Sequence, residues 1–371
     1  MENLLPWFRL KSVPGIGNHL YKRLISRFKS PEFVFEAPSD ELLQVEGINQ
    51  RIISGIRNHQ IPDDIKRDMD QIVTMGFRVV TFSDENYPPL LREIPDPPPV
   101  LYVYGHLEPS IQTIAIVGSR NATTYGISTT RQLAVHLASL NFIIVSGMAV
   151  GIDTAAHKGA LEGKGKTIAV LGSGLGRIYP SENRELFHHI AQNGAVISEF
   201  PMMTEPEAYN FPIRNRIISG ISQGTVVVEA TQKSGSLITA RLAAEQNRQV
   251  FAVPGSVRSF KSMGTHNLIK QGAKLVEHPQ DILDELVHVF QTSTVMQGTK
   301  KPLHPDLPTM TGEEKCIFEV LDPYPVHVDD IVRKVSMAPG KVLSILLQLE
   351  LKQIIQQSPG KRFSVSDNVQ R

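Results

Sequence analysis

The sequence predicts an α/β protein: a doubly wound parallel sheet, with a small helical domain before it and a winged helix after it. Three observations carry this. Between Ile114 and about Phe290, short β-branched runs alternate with helix-length segments. Nearly every run ends in a glycine-rich or small-residue turn. Outside that region the apolar spacing is helical. Apolar strands alternating with helices require a parallel sheet covered on both faces.

Residues 1–62 read as short helices around two similar turns, Val13-Pro14-Gly15-Ile16-Gly17 and Val45-Glu46-Gly47-Ile48-Asn49. Each turn precedes an apolar helical pattern: Leu20, Leu24, Ile25 and Phe28, then Ile52, Ile53 and Ile56. A turn of this kind resembles the helix-hairpin-helix (SAM-like) unit, whose backbone N–H groups can face a phosphate. An ordinary turn in a small packing domain is the other reading. Residues 63–110 read as a connector on the central domain, with one strand at Phe77–Phe82 and a stiff run, Ile94–Val100, that its prolines bar from helix.

Residues 111–290 form the sheet domain. Its strands are expected at Ile114–Val117, Phe142–Val145, Thr167–Leu171, Ala195–Ser198, Thr225–Val228, Gln249–Val253 and Ala273–Val276. Ser128–Leu140 and Leu237–Gln246 are two of the intervening helices. Residues 291–311 are polar and contain proline, as a linker does. Residues 312–371 suggest three helices, around Ile317–Leu321, Val328–Val335 and Lys341–Leu351. A hairpin of Ile354–Gln356 and Arg362–Val365 completes a winged helix. Its third helix region carries Lys341 and Lys352 as cations, thin for reading a groove, which favours a protein-contact role.

The chain has 371 residues, 41% hydrophobic and 20% charged, as soluble globular proteins of two or three domains do. A single cysteine, Cys316, leaves no intrachain disulfide and no cysteine-based metal site. The start, MENLLPWFRL, lacks the pattern of a signal peptide, and no stretch approaches a membrane span. A cytoplasmic location is therefore expected. Net charge is +1, so an anionic partner would need the positive charge concentrated locally.

The glycine turns supply that concentration. They are Gly118-Ser119-Arg120, Ser146–Gly151, Gly172-Ser173-Gly174, Ser234-Gly235-Ser236 and Pro254-Gly255-Ser256. In a parallel sheet they share the carboxyl edge, where open α/β sheets bind ligands and helix N-termini converge. An anion, by default a phosphate, is the expected guest. GSRNATTYG after the first strand is neither the dinucleotide fingerprint nor a Walker loop. No cofactor and no metal are expected.

Three clusters add side chains to this rim. Arg120 offers a planar fork to a phosphate or base edge, or else makes a structural salt bridge. Asn183-Arg184-Glu185-Leu186-Phe187 opens a helix, and Arg184 and Phe187 share a face by spacing. A cation beside an aromatic suits single-stranded nucleic acid, while Phe187 has core packing as its other use. Phe211-Pro212-Ile213-Arg214-Asn215-Arg216 puts two arginines around an asparagine at a helix start.

Together these motifs resemble the DNA-processing protein A (DprA/Smf) family. They are VGSR at Val117–Arg120, SGMAVGID at Ser146–Asp153, YPSEN at Tyr179–Asn183 and SEFP at Ser198–Pro201, then FPIRNRIISG at Phe211–Gly220, EATQKSGSLITA at Glu229–Ala240 and VFAVPG at Val250–Gly255. The resemblance implies a Rossmann-like domain that binds single-stranded DNA, forms a homodimer and delivers DNA to the RecA recombinase in natural transformation, without catalysis. It points to Gly118, Ser119 and Arg120, to Ser146, Gly147 and Gly151, to Asn183, Arg184 and Phe187, and to Arg214, Asn215, Lys233, Ser234 and Gly235. His266 stands where many members are expected to have asparagine.

Two other functions compete. A nucleotide-acting hydrolase of a related Rossmann-like group could draw on Asp153, Glu199 or Glu229. Against it, Asp153 suits a helix N-cap, and the glycine-rich phosphate loop of such hydrolases is replaced by Ser234-Gly235-Ser236-Leu237. A scaffold with a vestigial pocket is the third function, and the cations beside the glycine turns argue against it.

Overall fold

A computed structural model of the chain describes residues 2–290, 311–321, 325–335, 337–352, 354–358 and 360–365. The chain divides into two compact units, Met1–Val289 and Phe290–Arg371.

The first unit begins with helices α1 (Leu5–Ser12), α2 (Asn18–Phe28), α3 (Pro31–Glu36), α4 (Ser39–Leu43), α5 (Gln50–Asn58) and α6 (Asp63–Thr74). The two glycine turns precede α2 and α5 and are built alike. Ile16 N donates to Val13 O at 3.1 Å, and Ile48 N to Val45 O at 3.0 Å. Gly15 and Gly47 take φ of +90° and +94°, a region that side chains resist. Each turn lies on the other's helix: Gly15 faces Ile52, and Gly47 faces Leu20. This exchange closes a core in which Leu10, Leu24, Leu42 and Ile56 are fully buried, each worth roughly 1.5–3 kcal/mol. That core runs on into the sheet edge through Phe8 and Tyr102, whose ring centroids are 6.1 Å apart.

The sheet follows. Its elements are β1 (Arg78–Thr81), α7 (Pro89–Glu93), β2 (Val100–Gly105), β3 (Thr113–Gly118), α8 (Thr124–Ser139), β4 (Ile143–Ser146) and α9 (Ile152–Glu162). Next come β5 (Thr167–Val170), α10 (Arg184–Gln192), β6 (Gly194–Ser198), α11 (Asn210–Ile221), β7 (Gly224–Val228) and α12 (Gly235–Glu245). The series ends with β8 (Gln249–Ala252), α13 (Met263–Lys270), β9 (Lys274–Leu275) and α14 (Pro279–Phe290). The nine-stranded sheet has the order β1-β2-β6-β5-β4-β3-β7-β8-β9.

Strands β3 to β9 are parallel, as expected. The sheet extends beyond the expected parallel region at one edge, where β2 pairs antiparallel with β6 and β1 antiparallel with β2. The stretch expected as a connector thus adds two strands. Helix α8 starts at Thr124, ahead of the expected Ser128, because Thr123 caps it: its Oγ1 accepts from Gly126 N at 3.1 Å.

Strand order reverses beside β3. The chain winds from β3 through β4 and β5 to β6, then crosses back over α11 to place β7 on the other side of β3. The turns after β3 and β7 therefore leave in opposite directions and open a crevice between them, the position where doubly wound sheets bind ligands.

The second unit has α15 (Gly312–Val320), β10 (Val326–His327), α16 (Val328–Val335), α17 (Pro339–Leu351), β11 (Ile355–Ser358) and β12 (Arg362–Val365). Its sheet order β10-β12-β11 is antiparallel throughout, the winged-helix arrangement. Ile317, Ile331, Val342, Leu346 and Leu349 build its core. Of the expected linker, residues 291–310 lie outside the described residues, and Thr311 caps α15.

Candidate nucleic-acid interface

The crevice between β3 and β7 is a groove of about 670 Å3. The β3 turn supplies Gly118, Ser119 and Arg120, the start of α11 supplies Phe211, Pro212, Arg214 and Asn215, and the β7 turn supplies Ser234 and Gly235. Tyr179 closes one side. The rim is held in place by close backbone packing. A side chain at Gly118 would run into the Val228 carbonyl, and one at Gly151, whose φ is +83°, into the Ser119 carbonyl. Ile152 N in turn donates to Ser119 O at 3.2 Å.

Arg120 is exposed, and its guanidinium carbon lies 5.1 Å from the centre of the Phe211 ring. Tyr179, 44% exposed, meets the same ring at 5.8 Å between centroids. A free guanidinium and an aromatic pair on one wall can take a phosphate and a base face side by side. The opposite wall is the start of α12. Its N-cap residue, Ser234, bonds to Ser236 Oγ at 2.8 Å and makes no side-chain cap, and its carbonyl takes Leu237 N at 3.1 Å, which leaves the N–H groups of Gly235 and Ser236 at the helix start for a ligand.

Arg214 lies under the groove. It is 4% exposed and donates to the carbonyls of Gly147, at 2.8 Å, and Val170. Burial pulls its pKa down to about 10, opposed by the charge of Asp153. Asp153 is pushed up by burial and held back chiefly by Arg214. Its carboxylate accepts from Gly147 N at 3.2 Å and Ala149 N at 3.3 Å. It therefore ties down the loop before α9 instead of capping that helix as expected; Gly151 is the N-cap.

Other expected residues are part of the frame. Ser146 is buried, and its hydroxyl donates to Ile116 O at 2.6 Å. Asn183 is buried and donates to Met148 O and Thr154 Oγ1, both at 2.8 Å. Asn215 donates to Gly235 O at 3.4 Å, linking α11 to α12. Lys233 is exposed on the turn beside Ser234. His266 bonds to the backbone of Gly255 and does not line the groove.

Phe187 corrects the expectation of a base-contacting aromatic. It is 1% exposed and stacks on Tyr104 at 5.2 Å, inside the core that joins the helical module to the sheet. Arg184, three residues earlier, is exposed and does not line the groove. The spacing was right for a helix, but the helix turns Phe187 inward. Phe211 and Tyr179 are the aromatics at the groove, and sequence reasoning passed over both. Each stands directly before a proline in a quoted motif, Tyr179 in a loop and Phe211 in the first turn of α11, a placement that helical spacing does not reveal.

The carboxylates open to a hydrolase are engaged. Asp153 pairs with Arg214. Glu199 pairs with Arg216. Glu229 accepts from the N–H and hydroxyl of Thr123 at the start of α8. Among the described residues, no group of His, Cys, Asp and Glu is arranged to hold a metal ion, and no helix is long and apolar enough to cross a membrane.

Residues 78–287 match the family model for DNA recombination-mediator protein A, and residues 301–361 that for the DprA winged helix domain. Protein Smf of Synechocystis sp. is 37% identical over 96% of this chain and 97% of its own. The DNA processing protein DprA of Streptococcus pneumoniae is 45% identical over 56% of this chain and 74% of its own. A crystal structure of DprA from Streptococcus pneumoniae superposes with a TM-score of 0.65 at 35% identity, covering 76% of this chain and 97% of that one. A DprA structure from Helicobacter pylori, described for its single-stranded DNA binding mode, gives a TM-score of 0.52 at 32% identity over 57% of this chain and 96% of that one. With the sheet, its rim and the winged helix all matched, the chain belongs to the DprA/Smf family of DNA recombination-mediator proteins.

Proposed function

We propose that this chain holds single-stranded DNA in the β3–β7 groove and passes it to the RecA recombinase, without itself catalysing a reaction. One observation carries the reading: an exposed Arg120 over Phe211, with Tyr179 beside it, at the point where strand order reverses. Phosphates would be taken by Arg120 and by the N–H groups at the start of α12, with Lys233 at the mouth. Bases would stack on Phe211 and Tyr179. Gly118, Ser119, Gly151 and Asn215 shape the groove. Arg214, Ser146, Gly147 and Asn183 support it from beneath.

Delivery to RecA, a homodimer formed through the Rossmann-like domain and a cytoplasmic place of work belong to the same proposal. The family's description as recombination mediators supports the first of these. The hydrolase reading has no observation in its favour, since its carboxylates are engaged.

Binding isotherms on single-stranded and duplex oligonucleotides test the proposal. Single strands should bind more tightly, with affinity falling as salt rises because counterions are released. Arg120→Ala should lower single-strand affinity about tenfold to a hundredfold, as loss of a charge-assisted contact does, with the thermal midpoint unchanged. Equal affinity for duplex, or full affinity in Arg120→Ala, refutes it.

A further inference from the structure

The two glycine turns of the helical module begin alike and end differently. Asn49 caps α5, its Oδ1 accepting from Ile52 N at 3.0 Å. The matching residue before α2 is Gly17, which has no side chain to cap with. The open start of α2 borders a shallow groove of about 500 Å3, lined by Gly17, Asn18 and His19 on one side and by Ile213 and Arg216 of α11 on the other. Arg216 is 6% exposed, and its Nη1 has no hydrogen-bond partner.

This groove adjoins two others. Helix α11 is its common wall with the rim, since Phe211 and Pro212 line the rim while Ile213 and Arg216 line this groove. His19 is shared with a third groove, of about 510 Å3, lined by Lys22, Arg23, Ser26, Arg27 and Pro95. Helix α11 thus borders both the rim and this groove, and His19 borders both this groove and the basic face of α2.

The charges along this surface do not cancel. Four carboxylates face it and share three arginines. Asp96 and Glu199 pair with Arg216, Glu46 with Arg23 at 3.1 Å, and Glu93 with Arg248 at 2.8 Å. Lys22 and Arg27 are met by neutral oxygens: Lys22 Nζ donates to Ile94 O at 2.7 Å, and Arg27 to Gln44 Oε1 at 2.5 Å. Glu93 and Asp96 lie near enough to act on the Lys22 charge, while Arg27 has no carboxylate partner among the described residues. From His19 to Arg27 the helix runs about 12 Å, enough for more than one phosphate.

We infer that α2 is a second phosphate-binding track, onto which a single strand seated at the rim continues, its backbone held by Lys22 and Arg27 and by the open start of α2 at Gly17. This rests on the rim being a single-strand site. A cationic groove with few apolar side chains suits backbone tracking, and the aromatic stacking stays at the rim.

The test uses the whole chain and fluorescence anisotropy, with oligothymidylates of about 6 and about 25 nucleotides, lengths chosen to fill the rim alone or the rim and track together. The double variant Lys22→Ala/Arg27→Ala should bind the short strand as the parent does. It should bind the long strand about tenfold more weakly, with a salt slope shallower by about 1.4, the share of two phosphate contacts. A second pair, Lys22→Gln/Arg27→Gln, keeps a donor for the Ile94 and Gln44 oxygens and should behave the same way. Parental affinity and slope on the long strand would overturn the inference, as would an equal loss on both lengths. Arg120→Ala should weaken both lengths. If it weakens neither, the rim reading fails, whatever the α2 variants do.

Discussion

The rim of the sheet and the third helix of the winged helix are each the surface where their fold usually meets a ligand, and they present opposite chemistry. The rim exposes a guanidinium over an aromatic ring, with an uncapped helix start facing it. Helix α17 exposes Leu343, Leu347 and Leu351, 48%, 57% and 76% accessible, along one row. Its cations are turned to partners within the module: Lys341 pairs with Glu313, and Lys352 with Glu314. A winged helix is therefore no guarantee of a nucleic-acid surface.

The contrast can be broken most sharply from below the rim. Arg214→Met leaves Asp153 buried without its counter-charge and should cost about 3–5 kcal/mol, read as a large drop in the denaturation midpoint. A stable variant with normal binding would show that the rim does not need its buried frame.

The two phenylalanines separate frame from surface. Phe187→Ala should cost about 3–5 kcal/mol of stability, since it empties a packed site. Phe211→Ala should cost about 1–3 kcal/mol of single-strand binding by loss of stacking. Calorimetric unfolding and anisotropy on the same pair give both numbers. If the roles come out reversed, the assignment of Phe211 to the surface is wrong.

A pH effect sharpens the picture of the interior. His157 is fully buried, with Nδ1 2.7 Å from Thr167 Oγ1. That hydroxyl gives its own proton to Ile144 O at 2.6 Å, so Nδ1 carries the imidazole hydrogen. Burial, aided by the Arg214 charge, lowers its pKa from 6.5 to about 3. Between those values the unfolded chain takes up a proton that the folded chain does not. Stability should therefore fall as pH drops through this window, by up to about 1.4 kcal/mol per unit from this residue. His157→Gln should flatten that slope in urea titrations compared at pH 7 and at about pH 5.

The smallest expected effect is at α17. Lys341→Ala and Leu347→Gln should each leave single-strand affinity within about twofold of the parent, since surface positions away from a contact act weakly. A tenfold loss in either would return the winged helix to the nucleic-acid surface.

Much of this was legible in the sequence. Strands β3 to β7 announce themselves as β-branched apolar runs because they are buried on both faces. Strand β2 escaped because Pro97, Pro98 and Pro99 stand directly before it, and a proline run reads as a break. Arg120 was legible because glycine precedes it at a strand end. Phe187 misled because spacing tells which residues of a helix are neighbours, not which side of the helix faces inward. Arg214 was visible as a cation but not as a buried one, because the carbonyls of Gly147 and Val170 that receive it come from distant strands.

The crossing that brings β7 beside β3 also sets when the molecule can work. Arg120 and Ser234 lie on neighbouring turns, yet the whole β4 to β6 half of the sheet separates them along the chain. A chain emerging from the ribosome has its leading arginine early and the facing helix start only much later. Neither fragment contains a groove. The grip on a strand should arise in a single step as β7 docks, and a cut between β6 and β7 should yield two pieces that bind only when recombined.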